Sequence, residues 1–379
     1  MIKVLSIIGT RPEAIKMAPV IKELEKHPEK IISRVCVTAQ HREMLDQVLE
    51  LFEIIPDYDL DLMQEGQTLS GLTARVFTAL DPVLEKEKPD WVLVQGDTTT
   101  VMAASLAAFY HQIKVGHVEA GLRTGDKWQP FPEEVNRKIA GVVADLHFAP
   151  TETARDNLLA EGVDPETIHV TGNPVIDALH MTADMPFDLQ NSSLAGIPWK
   201  KKIILVTAHR RENFGRPLEN ICAALKEIAN QYRDEVYLVY PVHPNPNVLE
   251  KVYPELEGIP NISLIEPLNY LPLVQLMKRT YMVVTDSGGL QEEAPGLGKP
   301  VLVLRKKTER PEGIDAETAK LIGTGEISVF DSISQLIVEN NIYKKMSSAI
   351  NPYGDGYAAK RIIELIINNP ELKSNKRLL

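Results

Sequence analysis

Short apolar runs rich in β-branched residues alternate with helical patterns along most of the chain. This alternation predicts parallel βαβ units. Each run is apolar throughout instead of alternating with polar residues, which is typical of strands that helices cover on both faces. The predicted strands are Val4–Ile8, Val35–Thr38, Trp91–Val94, Val115–Val118, Leu146–Ala149, Ile203–Val206, Val236–Tyr240, Met282–Val284 and Val301–Leu304.

The pattern breaks once, between residues 183 and 202, where Pro186, Asn191 and Pro198 interrupt it and predict a linker. The chain has 379 residues, more than the roughly 250 to 300 at which a single core stops growing. We therefore predict an α/β protein with two doubly wound Rossmann-like domains and a cleft between them. The predicted segments are an N-terminal domain over 1–182, the linker over 183–202, a C-terminal domain over 203–355 and a terminal segment over 356–379.

Polar clusters follow several predicted strands directly. In doubly wound sheets, ligands bind where loops leave the carboxyl ends of the strands. These clusters are therefore the candidate site, and they are Gly9–Glu13, Gly96–Thr98, Glu119–Gly121, Thr207–Arg211 and Asp286–Gly289.

The Ser287-Gly288-Gly289 segment lies between a strand and a helix predicted to open near Leu290. Unpaired backbone N–H groups and the helix dipole there favour an anion such as a diphosphate. A serine N-cap followed by glycines in a tight turn explains the segment equally well. Glu292 and Glu293 are predicted to follow within the first helical turn, where carboxylates suit the dipole, and one of them could instead accept ribose hydroxyls. Glu292 is interpreted as a helix-capping residue.

Cationic side chains accompany these turns in a chain that is otherwise acidic. Arg11 and Arg310 each lie beside a proline in a loop, and Arg210 and Arg211 follow His209. Arginine suits bidentate phosphate binding, although a surface salt bridge is the alternative for any one of them. His209 is placed to contact a phosphate leaving group, although a lone histidine is more often structural.

Three carboxylates, Asp97, Glu119 and Glu133, lie at or near predicted strand ends of the first domain. A pocket that gathers carboxylates can raise the pKa of one of them for general acid or base chemistry. The alternative for Asp97 is to cap the next helix. A metal site is disfavoured because the chain has no histidine pair at ligand spacing and no CxxC or HExxH motif. Nicotinamide and P-loop nucleotide binding are disfavoured because GxGxxG and GxxxxGK[ST] are absent.

Composition further restricts the possible partners and cellular location of the protein. The formal net charge of −11 disfavours a nucleic-acid partner. No apolar run is long enough for a membrane span and the first residues are strand-like, so we expect a cytoplasmic enzyme. Cys36 and Cys222 are interpreted as buried small hydrophobes.

Seven segments, in order from near the amino terminus to Gly356, resemble the non-hydrolysing UDP-N-acetylglucosamine 2-epimerases of bacteria. They are Gly9–Pro19, Gln40–Leu45, Gly96–Thr100, His117–Gly125, Ala208–Asn213, Thr285–Pro295 and Asn351–Gly356. The resemblance implies the architecture of B-type glycosyltransferases, a cytoplasmic homodimer, and a C-terminal helix over Ala358–Asn368 that packs back on the first domain. It also implies C2 epimerisation of UDP-GlcNAc to UDP-ManNAc for cell-envelope polysaccharides, without NAD or metal.

The same resemblance assigns residues. UDP would be held by Arg11, His209, Ser287, Gly288, Gly289, Glu293 and Arg310. Lys16, Asp97, Glu119 and Glu133 would face the sugar. A second, regulatory substrate position would use Gln40, Glu43, Glu133, Arg210 and His243. Uracil would contact backbone and the aliphatic side chains of Leu268 and Leu273, where the family often has glutamine and phenylalanine.

The chemistry implied by the resemblance is elimination of UDP across C1 and C2 to give a 2-acetamidoglucal, followed by re-addition. The alternatives are a hydrolysing relative that releases UDP and N-acetylmannosamine, a B-type glycosyltransferase, and a non-catalytic nucleotide-sugar sensor. The Gly96–Thr98 and His117–Gly125 segments favour the epimerase over the transferase.

Overall fold

The computed structural model describes residues 1–38, 42–62, 64 and 66–368, without the side chains of Arg42 and Glu43. The chain divides into two compact units. Unit 1 comprises Met1–Ala178 and the described chain from Gly354 onward, and unit 2 comprises Leu179–Tyr353. The fold class is therefore confirmed as a two-domain α/β protein. The predicted domain and linker boundaries stay predictions.

Unit 1 is built on a parallel sheet that has seven strands within the described residues, in the order β3-β2-β1-β4-β5-β6-β7. Leu5 in the central strand lies opposite Arg34 of β2 and Val92 of β4. The strands are β1 (Ile2–Ile8), β2 (Ile31–Val37), β3 (Tyr58–Asp59), β4 (Trp91–Gln95), β5 (Lys114–Val118), β6 (Leu146–Ala149) and β7 (Ile168–Val170). The helices are α1 (Arg11–Glu25), α2 (Arg42–Leu51), α3 (Leu69–Glu87), α4 (Thr99–Tyr110), α5 (Glu133–Val143), α6 (Glu152–Ala160), the 3₁₀ turn Pro165–Thr167 and α7 (Pro174–Ala183).

Unit 2 repeats the plan with a parallel sheet of six strands in its described residues, in the order β10-β9-β8-β11-β12-β13. Its strands are β8 (Lys202–Thr207), β9 (Val236–Pro241), β10 (Ile262–Ile265), β11 (Met282–Thr285), β12 (Val301–Val303) and β13 (Ala319–Leu321). Its helical segments are the 3₁₀ turn Arg211–Asn213, α8 (Arg216–Gln231), α9 (Pro246–Leu256), α10 (Tyr270–Arg279), α11 (Gly288–Gly296), α12 (Pro311–Asp315), α13 (Glu326–Val338) and α14 (Asn340–Ser347).

All nine strands predicted from the sequence are present, and the described residues contain four further strands that the sequence pattern did not predict. The missed strands are β3, β7, β10 and β13, and each forms an edge of its sheet. An edge strand is short and packs against fewer neighbours, so it lacks the continuous apolar run of a central strand. In β10, for example, only the first residue is buried.

The C-terminal helix α15 (Ala358–Asn368) has the predicted bounds and packs against α1 within unit 1. Its first two N–H groups donate to buried Asp177 of α7, at 3.2 Å from Ala358 and 2.9 Å from Ala359. Burial raises the pKa of Asp177 to about 6, against the lowering effect of these hydrogen bonds. The carboxylate therefore caps α15 and ties the end of the described chain to unit 1.

Cys36 and Cys222 are buried, as predicted, and burial raises the pKa of each thiol to about 12. In the described part of the chain, none of the helices has the length and apolar character needed to cross a membrane.

Candidate active site

Both sheets place their candidate residues where the strand order reverses. The sequence of strands turns back between β1 and β4 in unit 1, and between β8 and β11 in unit 2. Such reversals open a crevice at the carboxyl ends of the strands. The clusters predicted from strand ends therefore fall at the ligand-binding edge of each sheet.

The turn after β1 is fixed by Glu13, a buried residue in the first turn of α1. One carboxylate oxygen accepts the Gly9 N–H at 2.7 Å and the other accepts the Thr10 hydroxyl at 3.0 Å. Burial raises the pKa of Glu13 to about 7, opposed by hydrogen bonds from Gly9, Thr98 and Thr10. A Cβ on Gly9 would lie 2.5 Å from Thr100 Oγ1, so only glycine lets this turn approach α4. Arg11 opens α1 directly after this turn.

Glu119 follows β5 and accepts hydrogen bonds from three side chains of unit 1. Lys16 Nζ contacts its two carboxylate oxygens at 2.6 and 2.7 Å. The Asn173 amide donates to Oε1 at 2.9 Å, and the Gln95 amide donates to Oε2. The Glu119 backbone has a φ of 62°, a left-handed conformation that is uncommon for a residue with a side chain and often marks a functional position. Two predicted sugar-side residues, Lys16 and Glu119, are thus in direct contact.

Asp97 follows β4 and is ion-paired with Arg137 of α5. Its backbone carbonyl accepts the Asn136 amide at 3.0 Å. The N-cap of α4 is instead Thr98, whose hydroxyl accepts the Val101 N–H at 3.3 Å. The helix-cap alternative for Asp97 is therefore wrong, because the next residue already caps the helix and the carboxylate has a cationic partner.

Glu133 is the first residue of α5, and its Oε2 atom is buried without a hydrogen-bond partner among the described residues. The adjacent Glu134 has the opposite character. It is fully buried and accepts the Thr124 and Gly125 N–H groups at 3.1 and 3.2 Å, and Arg137 at 3.2 Å. Glu134 therefore stabilises the loop, while Glu133 retains a buried oxygen that no described residue engages.

His117 supports the turn that carries Asp97. Its Nε2–H donates to the Gly96 carbonyl at 2.7 Å, and its Nδ1 is buried with no partner in the described chain. Burial is the largest effect on the imidazole and lowers its pKa to about 4. His117 is therefore neutral at pH 7.

In unit 2, Asp286 organises the turn after β8. This fully buried residue accepts the His209 N–H at 2.8 Å, the Arg210 N–H at 2.7 Å and the Asn213 amide at 3.1 Å, all at Oδ2. The His209 ring stacks on His243, with centroids 5.1 Å apart, and its Nδ1 lies 3.8 Å from Asp286 Oδ1. Burial lowers the pKa of His209, which Asp286 partly counteracts and His243 reinforces. His209 is therefore adjacent to Arg210 in sequence and to His243 in space, and the roles predicted for the three residues stay predictions.

Helix α11 begins at Gly288, two residues earlier than predicted. Ser287 occupies the N-cap position, but its side chain makes no capping hydrogen bond. A Cβ on Gly288 would lie 3.5 Å from Arg210 Nη2, which places this arginine beside the helix N-terminus. Backbone N–H groups and a guanidinium together suit an anion.

The two glutamates of α11 lie beyond its first turn, so the capping role predicted for Glu292 is wrong. Glu292 is ion-paired with Arg310 instead. Glu293 is buried and accepts the Tyr270 hydroxyl at 2.9 Å. Leu268 and Leu273, predicted to contact uracil, are half-buried around the start of α10. Gln40 and the side chain of Glu43 lie outside the described residues.

Comparison with known proteins gives the family of the chain. The family model described as UDP-N-acetylglucosamine 2-epimerase matches residues 22–367. The chain belongs to this family. The UDP-N-acetylglucosamine 2-epimerase of Yersinia pestis is 56% identical over 97% of this chain and 99% of its own length. The Escherichia coli K12 enzyme of the same name is 55% identical over 97% of this chain and 99% of its own.

A crystal structure of the Neisseria meningitidis UDP-GlcNAc 2-epimerase bound to UDP-GlcNAc is similar to this chain with a TM-score of 0.86. It shares 50% sequence identity, over 97% of this chain and 100% of that protein. The family resemblance inferred from sequence motifs is therefore confirmed.

The sequence analysis did not identify several residues that the structure places in the candidate site. Gln95, Arg137 and Asn173 were not singled out, and Asp286 was noted without a role. Gln95 ends a strand and Asn173 follows the missed strand β7, so the strand-end rule could have found both. Arg137 lies inside a helix, so no strand end or loop motif beside it indicates a place in the site. Within the described residues, no three His, Cys, Asp or Glu side chains are grouped as metal ligands.

Proposed function

We propose that this protein interconverts UDP-N-acetylglucosamine and UDP-N-acetylmannosamine. A base removes the C2 proton while the bond from C1 to the UDP oxygen breaks, which yields a 2-acetamidoglucal and UDP. UDP then adds back to C1 while an acid delivers a proton to the opposite face of C2. Substrate and product have the same oxidation state, so the reaction needs no redox cofactor.

The observation that carries the proposal is the family match along essentially the whole chain, including a 50% identical structure with UDP-GlcNAc bound. The local chemistry supports it. Unit 1 offers carboxylates with different surroundings, which acid and base roles require. Unit 2 offers a helix N-terminus beside Arg210, together with His209 and Arg310, which suits a diphosphate.

The resemblance to the family assigns the roles of individual residues. His209, Arg310 and the Ser287–Gly289 turn bind UDP, with Arg11 and Glu293 completing its contacts. They stabilise the negative charge that develops when UDP departs, a contribution of several kcal/mol for each lost donor in comparable sites. Asp97, Glu119 and Glu133 supply acid and base groups, and Lys16, which contacts Glu119, faces the sugar with them.

The decisive experiment is incubation of the protein with UDP-GlcNAc alone in D2O, with separation of nucleotide sugars from UDP and free sugars. We expect UDP-ManNAc that carries deuterium at C2, because a proton on a carboxylate exchanges with solvent between turnovers. Free N-acetylmannosamine and stoichiometric UDP would indicate the hydrolysing reaction instead. Transfer of the sugar only when an acceptor is added would indicate a glycosyltransferase.

A homodimer and a regulatory position for a second substrate molecule stay predictions, as does a role in cell-envelope polysaccharide synthesis. The regulatory position is supported by the stacking of His209 on His243 and by the closeness of the Arg210 guanidinium to Gly288, the first residue of α11.

A further inference from the structure

Glu119 is surrounded by donors that reach both of its oxygens. Oε1 receives Lys16 at 2.6 Å and Asn173 at 2.9 Å, and Oε2 receives Lys16 at 2.7 Å and Gln95. The side chain is almost completely buried, as are those of Gln95 and Asn173. A proton on either oxygen would therefore face a cation and an amide N–H. This arrangement favours the carboxylate over the carboxylic acid.

The two amides are themselves fixed. Gln95 is the last residue of β4. The next residue, Gly96, also lies close to Glu119, since a Cβ on this glycine would be 3.6 Å from Glu119 Oε2. Asn173 precedes α7, and its Oδ1 accepts the Val175 N–H at 3.2 Å. That bond leaves only the amide nitrogen of Asn173 to face Glu119, so it must donate. Gln95 thus ends a strand of unit 1, and Asn173 lies in the loop directly before one of its helices.

We propose that Gln95 and Asn173 are positioning residues that, with Lys16, hold Glu119 ionised and fixed in orientation in the resting enzyme. The inference rests on the proposed function and deepens it, because it gives Glu119 a resting protonation state that distinguishes it from Asp97 and Glu133. Glu119 has both oxygens engaged by donors, whereas Glu133 has a buried oxygen without a partner in the described chain. Glu119 therefore begins the cycle as a carboxylate.

The test is the pH profile of kcat/KM in Gln95→Met and Asn173→Ser. Each variant removes one donor to Glu119. Methionine is close to glutamine in size, and serine retains an oxygen that can cap α7. We expect the acid limb of each profile to move to higher pH by about one unit, because the carboxylate has lost a charge-assisted hydrogen bond. We expect kcat to fall roughly tenfold and the Kd of UDP to stay unchanged.

Other ionisable groups lie at the same sheet edge, so their titration must be distinguished from that of Glu119. They are Lys16 and Glu13 of α1, His117 of β5 and Asp97 after β4. Infrared titration of the carboxylic acid band does so, with the Glu119 band identified by its loss in Glu119→Gln. Its midpoint should move up in Gln95→Met and Asn173→Ser. This readout needs no catalysis, so an inactive wild type would refute the proposed function and still leave the inference testable.

Asn261→Ser is the matched control, since Asn261 is a buried amide of unit 2 that donates to the Ala229 carbonyl at 2.8 Å. It should lower thermal stability without moving the acid limb. If Gln95→Met does not fold, Gln95→Glu preserves shape and places a second carboxylate beside Glu119, which should move the acid limb further upward. Folded variants with a wild-type acid limb and a wild-type infrared midpoint would overturn the proposal.

Discussion

Asp97 and Arg137 form an ion pair that joins the turn after β4 to helix α5. Arg137 also contacts Glu134 at 3.2 Å, so its charge is shared by two carboxylates of different accessibility. Glu134 is fully buried, whereas the Asp97 side chain is 27% exposed. Asp97 can therefore meet a substrate, while Glu134 keeps the arginine in place.

This relationship makes Asp97→Asn a test of chemistry with little effect on folding, because Arg137 keeps Glu134 as a partner. We expect C2 deuterium incorporation and epimerisation to fall by roughly 100-fold or more, as for loss of a general acid or base. UDP binding by calorimetry should stay close to wild type. Near-full activity in Asp97→Asn would show that the ion pair with Arg137 is only structural.

Arg310→Ala should affect binding as well as catalysis. The Kd of UDP should rise roughly 10- to 100-fold, which corresponds to the loss of a charge-assisted contact. Because Arg310 also pairs with buried Glu292, thermal unfolding must be measured in parallel. Arg305→Ala is a useful control, since Arg305 pairs with Glu212 and Glu309 at 2.6 Å and has no predicted contact with UDP. Equal UDP affinities in the two variants would contradict the assignment of Arg310.

The predicted regulatory position should produce sigmoidal kinetics with UDP-GlcNAc. Conversion of UDP-ManNAc should be slow until a trace of UDP-GlcNAc is added. His243→Ala should reduce this activation because it removes the ring stacked on His209. Hyperbolic kinetics in wild type, with UDP-ManNAc converted normally on its own, would exclude the second position.

His117 should make the protein sensitive to mild acid. Its pKa is about 4 in the folded protein, compared with about 6.5 in an unfolded chain. The unfolded state therefore binds the proton more readily, so the contribution of His117 is complete above pH 6.5 and is lost as the pH falls toward 4.

The full loss from this group, reached below about pH 4, is on the order of 3 kcal/mol in the free energy of unfolding, and about 2 kcal/mol of it falls between pH 7 and pH 5. Urea unfolding at pH 7 and pH 5 should show it in wild type. His117→Gln retains a donor for the Gly96 carbonyl but cannot be protonated, so its stability should change less between these two pH values. If the free energies of unfolding of wild type and His117→Gln changed equally between pH 7 and pH 5, His117 could not be a buried neutral imidazole.

The sequence alone determined the two-domain α/β plan, because central parallel strands must be apolar on both faces and therefore leave an unmistakable run of residues. It also located polar clusters such as Gly96-Asp97 and Ser287-Gly288, since the carboxyl ends of such strands are where ligands bind. The family followed from motifs spread over the whole chain.

The tertiary structure decided the partners. Asp97 precedes a helix, and only the fold shows that Thr98 caps that helix and that Arg137, 40 residues later, takes the carboxylate. Glu119 and Asn173 are 54 residues apart in sequence and in hydrogen-bond contact in the structure. Ion pairs and amide contacts between distant elements depend on strand order and helix packing, which no local pattern encodes. Edge strands such as β7 were not predicted, because one side of each lacks a neighbouring strand.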